Sequence, residues 1–107
     1  MSNLEFTICC TVTFFSKKRR TPPNLNNGKY CPHLVIKGSE QPLGVSFIDG
    51  EDVIFDQLIR ANALPVNEDL DYSSLQVGMA FFIMEDSVIV GAGLVKEIFQ
   101  HKSYGSK

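Results

Sequence analysis

The sequence predicts an all-β fold, an antiparallel sandwich or barrel, and three observations predict it. One segment alternates strictly between apolar and polar residues, two apolar runs near the end are separated by a short acidic pair, and Gly/Pro-rich connections join segments of which none is surely helical. With 107 residues, 44% of them hydrophobic and 21% charged, the chain has the length and balance of one globular domain. Residues 1–107 are read as a single domain, with its core at about 6–99 and a tail at 100–107.

From Phe6 to Phe14, the residues Phe6, Ile8, Cys10, Val12 and Phe14 alternate with Thr7, Cys9, Thr11 and Thr13. A period of two marks a half-buried strand, with Cys10 in the core and Cys9 on the opposite face. Ser16 to Lys29 holds four consecutive basic residues, Pro22-Pro23 and Asn26-Asn27-Gly28, so it reads as a long loop without a strand of its own. His33 to Lys37 and Gly44 to Ile48 read as two short strands around a turn at Gly38 to Pro42.

Glu51 to Leu64 is ambiguous. Ile54, Leu58 and Ala61 have helical spacing, while Gln57, Ile59, Ala61 and Ala63 alternate against Leu58, Arg60 and Asn62. Pro65 ends the element, and the polar connection after it has Leu70, Tyr72 and Leu75 available as anchors. Met79 to Met84 and Ser87 to Phe99 then form a hairpin about Glu85-Asp86. There is no internal repeat and no low-complexity tract.

The same reading narrows the chemistry. Three cysteines, two of them adjacent, do not make a disulfide framework, and no apolar stretch approaches the roughly 18 to 20 residues of a membrane span, so a cytoplasmic protein with reduced thiols is expected. Gly91-Ala92-Gly93 sits where a phosphate-binding loop would begin, but Lys96 occupies the third glycine position and the following residues alternate like a strand. The glycines are therefore expected to permit a bulge, a bend or a close approach. Cys9, Cys10, Cys31 and His33 lack a metal-ligand spacing, and no serine sits in a nucleophile elbow, so neither a metal, a cofactor nor catalysis is expected. A net charge of -2 argues against bulk binding to nucleic acid, although the run Lys17-Lys18-Arg19-Arg20 could meet phosphates and Tyr30 could stack on a base.

Three stretches together resemble the C-terminal domain, domain III, of bacterial elongation factor Tu. "VTFFSKKRRTPPNLNNGKYCPHLVIKG" is similar to that domain's opening strand, its Arg-x-Thr-Pro loop and its Tyr-Arg-Pro-Gln-Phe strand start. "LGVSF" places Gly44 where the family has a glycine between two strands. "GMAFFIMEDSVIVGAGLVKEIF" resembles the family's ending without a gap, from Gly78 through Glu85 to Gly91 and Gly93. The resemblance implies a small closed antiparallel β-barrel of about six strands, with a strand from about Gln57 to Leu64.

In that family the domain helps to hold the T-stem of aminoacyl-tRNA and contacts the exchange factor Ts. Carried over by resemblance, the binding positions are Arg19, Thr21, His33, Lys37, Leu43 and Glu85, and Gly44, Gly78, Gly91 and Gly93 are structural. Cys31, Ala80, Met84 and Val88 stand where the family carries basic or polar groups, which weakens phosphate binding. The 107 residues hold no P-loop, so no nucleotide is expected to bind and no GTPase activity is expected. The expected function is a non-catalytic module that contacts tRNA or a translation-factor protein, with no membrane partner. The alternative is an interaction or immunity-type protein that uses the barrel to sequester a partner such as a toxin, through the acids at Glu51 to Asp56 and Glu68 to Asp71.

Overall fold

The computed structural model describes residues 6–101; Lys102 to Lys107, most of the expected tail, lie outside them. Six strands follow in the order β1 (Phe6–Phe14), β2 (His33–Ile36), β3 (Pro42–Gly50), β4 (Ile59–Pro65), β5 (Ala80–Glu85) and β6 (Val88–Gln100). Their spatial order is β1-β4-β3-β2-β5-β6, closed by a β6–β1 seam, and every pair is antiparallel. Closure decides between sandwich and barrel and leaves no open edge for another chain to pair with. Among the described residues there is no helix, and none is therefore long and apolar enough to cross a membrane.

The alternation in β1 is the origin of the core. Phe6, Ile8, Cys10, Val12 and Phe14 are all buried and point inward, and Cys9 points outward as expected. Across the two seams of β1, four of the inward partners are small, Ala63 and Ala61 on β4 and Gly93 and Gly91 on β6, while Ile59, Val95 and Ile98 are branched. A barrel of six strands has a narrow interior, and large residues fit only when their neighbours are small. A Cβ on Gly93 would lie 2.6 Å from the Thr11 carbonyl oxygen and 2.6 Å from the Phe81 ring. On Gly91 it would lie 2.5 Å from the Thr13 carbonyl oxygen. The two glycines thus admit Phe81 and a close strand approach, and the β5–β6 register slips beside them, between Ile83 and Met84.

The element over 51–64 resolves as a strand that starts at Ile59, two residues later than Gln57. Asp56 has a left-handed φ of 65°, and the Gln57 N–H donates to the Ile54 carbonyl, so residues 54–57 form a turn that neither helix nor strand passes through. Of the three residues with helical spacing, Ile54 and Leu58 are exposed and only Ala61 is buried, and it faces the core with Ile59 and Ala63 as the strand alternation requires. β3 starts at Pro42, inside the expected turn, because Pro42 needs no donor at the first position of a strand. Glu85 belongs to β5 rather than to the turn, which is Asp86-Ser87. β6 runs to Gln100, one residue past the expected core.

The connection after β4 is anchored by the expected residues. Tyr72 and Leu75 are buried, Leu70 packs against the core, and the Tyr72 hydroxyl donates to the Gly44 carbonyl while accepting from the Asn67 N–H at 3.1 Å. Gly44 is tight for the same reason: a Cβ there would meet the Asn67 side chain at 2.8 Å. Gly78 has a φ of 92°, which only glycine adopts without strain, and its N–H donates to the Val95 carbonyl at 2.8 Å.

Candidate functional site

The inward row of β5 runs Phe81, Ile83, Glu85. Two side chains of the row fill the core, and the third reaches the mouth of the barrel, where a carboxylate requires partners. The loop from Phe15 to Pro32 supplies them. It has no strand of its own, and it crosses the mouth held by Pro23, Leu25 and Pro32, all buried. Tyr30 lies beneath, edge-on to Phe14 with centroids 5.9 Å apart and stacked on Phe47 at 5.8 Å.

Two donors converge on Glu85 Oε2. The Arg19 Nε donates to this oxygen at 2.6 Å and the Tyr30 hydroxyl donates to it at 2.5 Å. The Arg19 guanidinium also lies 5.3 Å from the Tyr30 ring centroid and donates from Nη1 to the Thr21 carbonyl. Burial, and then the hydrogen bond to the Glu85 carboxylate, pushes the Tyr30 phenol well above its ordinary value; the nearby Arg19 opposes this without reversing it. The phenol therefore stays a neutral donor. The cluster works as a latch that fixes the basic turn to the β5–β6 hairpin.

The structure brings Arg19, Thr21 and Glu85 together but not all the expected binding residues. His33 is exposed on β2, opposite Met84 and so one register position from Glu85. Lys37 is exposed just past the other end of β2, about 13 Å away at the strand rise of about 3.3 Å per residue. Leu43 is 1% exposed and belongs to the core, because its place in β3 falls on an inward row; its side chain does not offer a contact. Tyr30 is also corrected: sandwiched between Phe47 and Arg19, it has no free face for a base. Its central part in the latch was not legible in the sequence, where it is a lone aromatic after a basic loop punctuated by Pro and Asn.

Lys17, Lys18 and Arg20 are exposed beside the latch. Their turn is tied to β6 by the Phe15 N–H, which donates to the Val90 carbonyl at 2.9 Å. The acids gather elsewhere. Glu51, Asp52 and Asp56 are exposed before β4, and Glu68, Asp69 and Asp71 after it. Glu51 accepts from the Arg60 N–H at 2.8 Å.

On the outer wall, a shallow groove of about 560 Å³ is lined by Cys9, Asn62, Arg60, Asp49 and Glu97 among others. The Cys9 thiol donates to Asn62 Oδ1 at 2.8 Å, and Asn62 donates to Asp49 at 2.7 Å. Burial, then the charges of Glu97 and Asp49, pushes this thiol up, so it is a poor nucleophile. All three cysteines are free, and among the described residues no group of three or more His, Cys, Asp or Glu could hold a metal ion. No protein-family model matches the chain, and no curated protein matches it.

Proposed function

We propose that the chain is a non-catalytic binding module, a barrel similar to domain III of elongation factor Tu, that contacts the translation apparatus in the cytoplasm through the barrel mouth. The observation that carries this reading is the latch. Arg19 and Glu85 are spent on each other and on Tyr30, and the result is a basic turn held in one place with Lys17, Lys18 and Arg20 exposed beside it. The partner is tRNA or a translation-factor protein.

Three cations neutralise few phosphates. If the contact is with the tRNA backbone, the affinity falls with salt on a log–log slope of about -2 to -3, since each neutralised phosphate adds about 0.7 to 0.9. Fluorescence titration with aminoacyl-tRNA and with the exchange factor Ts, at low and moderate salt, tests the reading. Binding to one of them that is lost in a Lys17→Ser, Lys18→Ser, Arg20→Ser variant supports it; no binding to either at low salt overturns it.

A second reading is favoured by the exposed acids at Glu51 to Asp56 and Glu68 to Asp71, which suit a basic protein that the barrel would sequester, such as a toxin. Co-purification that returns only ribosomes, tRNA and translation factors counts against it.

A further inference from the structure

An antiparallel sheet that faces water has a polar outer row, and half of this barrel follows the rule. On β1 and β4 the outward residues include Thr7, Thr11, Thr13, Arg60 and Asn62. The other half does not follow it. Val35, Phe82 and Ala92 stand side by side across β2, β5 and β6. Met84 and Ile89 form the next rank beside His33, and Ala80 and Leu94 pair on the other side. His33 is the one polar side chain in these ranks. All of these residues retain solvent exposure, and Val88 beside them is 47% exposed.

The border of this face is cationic. Lys17, Lys18 and Arg20 stand on the turn hydrogen-bonded to β6, and Lys37 follows β2, its N–H donating to the Ala80 carbonyl at 3.2 Å. Glu85 is neutralised by Arg19, Lys96 is followed by Glu97, and the acids left on the border, Asp86 at the hairpin tip and Glu40 in the turn after Lys37, are outnumbered by the four cations. Two copies meeting through this face would set lysines against lysines. Charge complementarity calls instead for an occupant with carboxylates around an apolar centre.

We infer that the outer face of β2, β5 and β6 docks a protein segment whose apolar side chains are flanked by Asp or Glu. The face is distinct from the barrel mouth, and Phe82 separates the two readings because it belongs to this face and lies outside the latch. The probe is a phage-displayed random peptide library selected against the full chain. Enriched peptides should carry apolar residues bordered by acids, and their affinity should fall about tenfold or more in Phe82→Glu, the usual effect of losing a central aromatic contact. Thr11→Glu on the polar wall should leave it unchanged, as should Phe82→Glu the titration with tRNA. Far-ultraviolet circular dichroism confirms that both variants fold, and Phe82→Ala repeats the test without a new charge. Enriched peptides that lack carboxylates, peptides insensitive to both Phe82 variants, or self-association that Phe82→Glu abolishes would each overturn the inference. So would binding of RNA or of anionic lipid vesicles that depends on Phe82.

Discussion

Arg19 and Tyr30, eleven positions apart in the chain, donate to the same oxygen of Glu85, at 2.6 and 2.5 Å. One carboxylate thereby holds a loop at both of its ends. Glu85→Ala removes the acceptor and leaves the partly buried phenol and guanidinium without it, so the variant should lose about 1 to 3 kcal/mol in denaturant unfolding. Arg19→Met should cost less, about 1 kcal/mol, because the phenol keeps its acceptor. The double variant should be less destabilised than the sum, and additive losses would mean that the two side chains do not interact.

Alkaline pH should destabilise the barrel. The Tyr30 phenol is raised in the folded state, and burial pushes the Cys10 thiol up from 9.0 to about 12. Both groups are neutral when folded and ionise more readily when unfolded. Their contribution is complete below the unfolded values and is lost as pH rises from about 9 through 12. Chemical unfolding followed across that range should show a steady fall, and Cys10→Ala should flatten it while lowering stability at neutral pH. A flat profile in the parent protein contradicts the assignment.

The three thiols should separate by reactivity. Cys31 is exposed and should react with a disulfide reagent in the native state. Cys9 should react more slowly, since its thiol is partly buried and donates to Asn62, and Cys10 should react only on unfolding. Time courses with Cys31→Ser and Cys9→Ser variants distinguish these phases.

Gly93→Ala should cost about 2 kcal/mol or more, the size of an overpacked core, because one of its two clashing neighbours is backbone. Phe81→Leu should relieve the ring contact in the Gly93→Ala background without restoring full stability. Gly93→Ala with an unchanged thermal midpoint would show that the seam can widen.

Tyr72→Phe should cost about 1 to 2 kcal/mol, since the Gly44 carbonyl and the Asn67 N–H both lose a partner. Thermal unfolding reads it directly, and hydrogen exchange should rise first in the connection between β4 and β5.

Legibility in the sequence followed the number of faces that a strand buries. β1 is buried on one face, so its alternation marked strand, core and both cysteines. β5 and β6 lack alternation because their outer faces are apolar as well, although those outer residues retain solvent exposure, so periodicity alone could not tell their inward row from their outward one. Over 51–64 the pattern failed because one residue, Asp56, turns the chain with a φ that no periodicity records. Within the site, Arg19 and Glu85 were singled out by resemblance, but their pairing depends on the inward row of β5 ending at the mouth. Leu43 was carried over by resemblance as a contact, although it stands in line with Val45 and Phe47 on the inward row of β3.

The β1–β6 seam, in which Phe6 faces Gln100 and Phe14 faces Gly91, joins the first strand to the last. During synthesis at about 5 to 20 residues per second, β1 waits several seconds or more for the partner that completes its pairing. Throughout that interval Phe6, Ile8, Val12 and Phe14 lie beside an open edge, which exposes the nascent chain to chaperones and to its neighbours on the same message. The barrel is thus a fold that exists only once its last strand has been made.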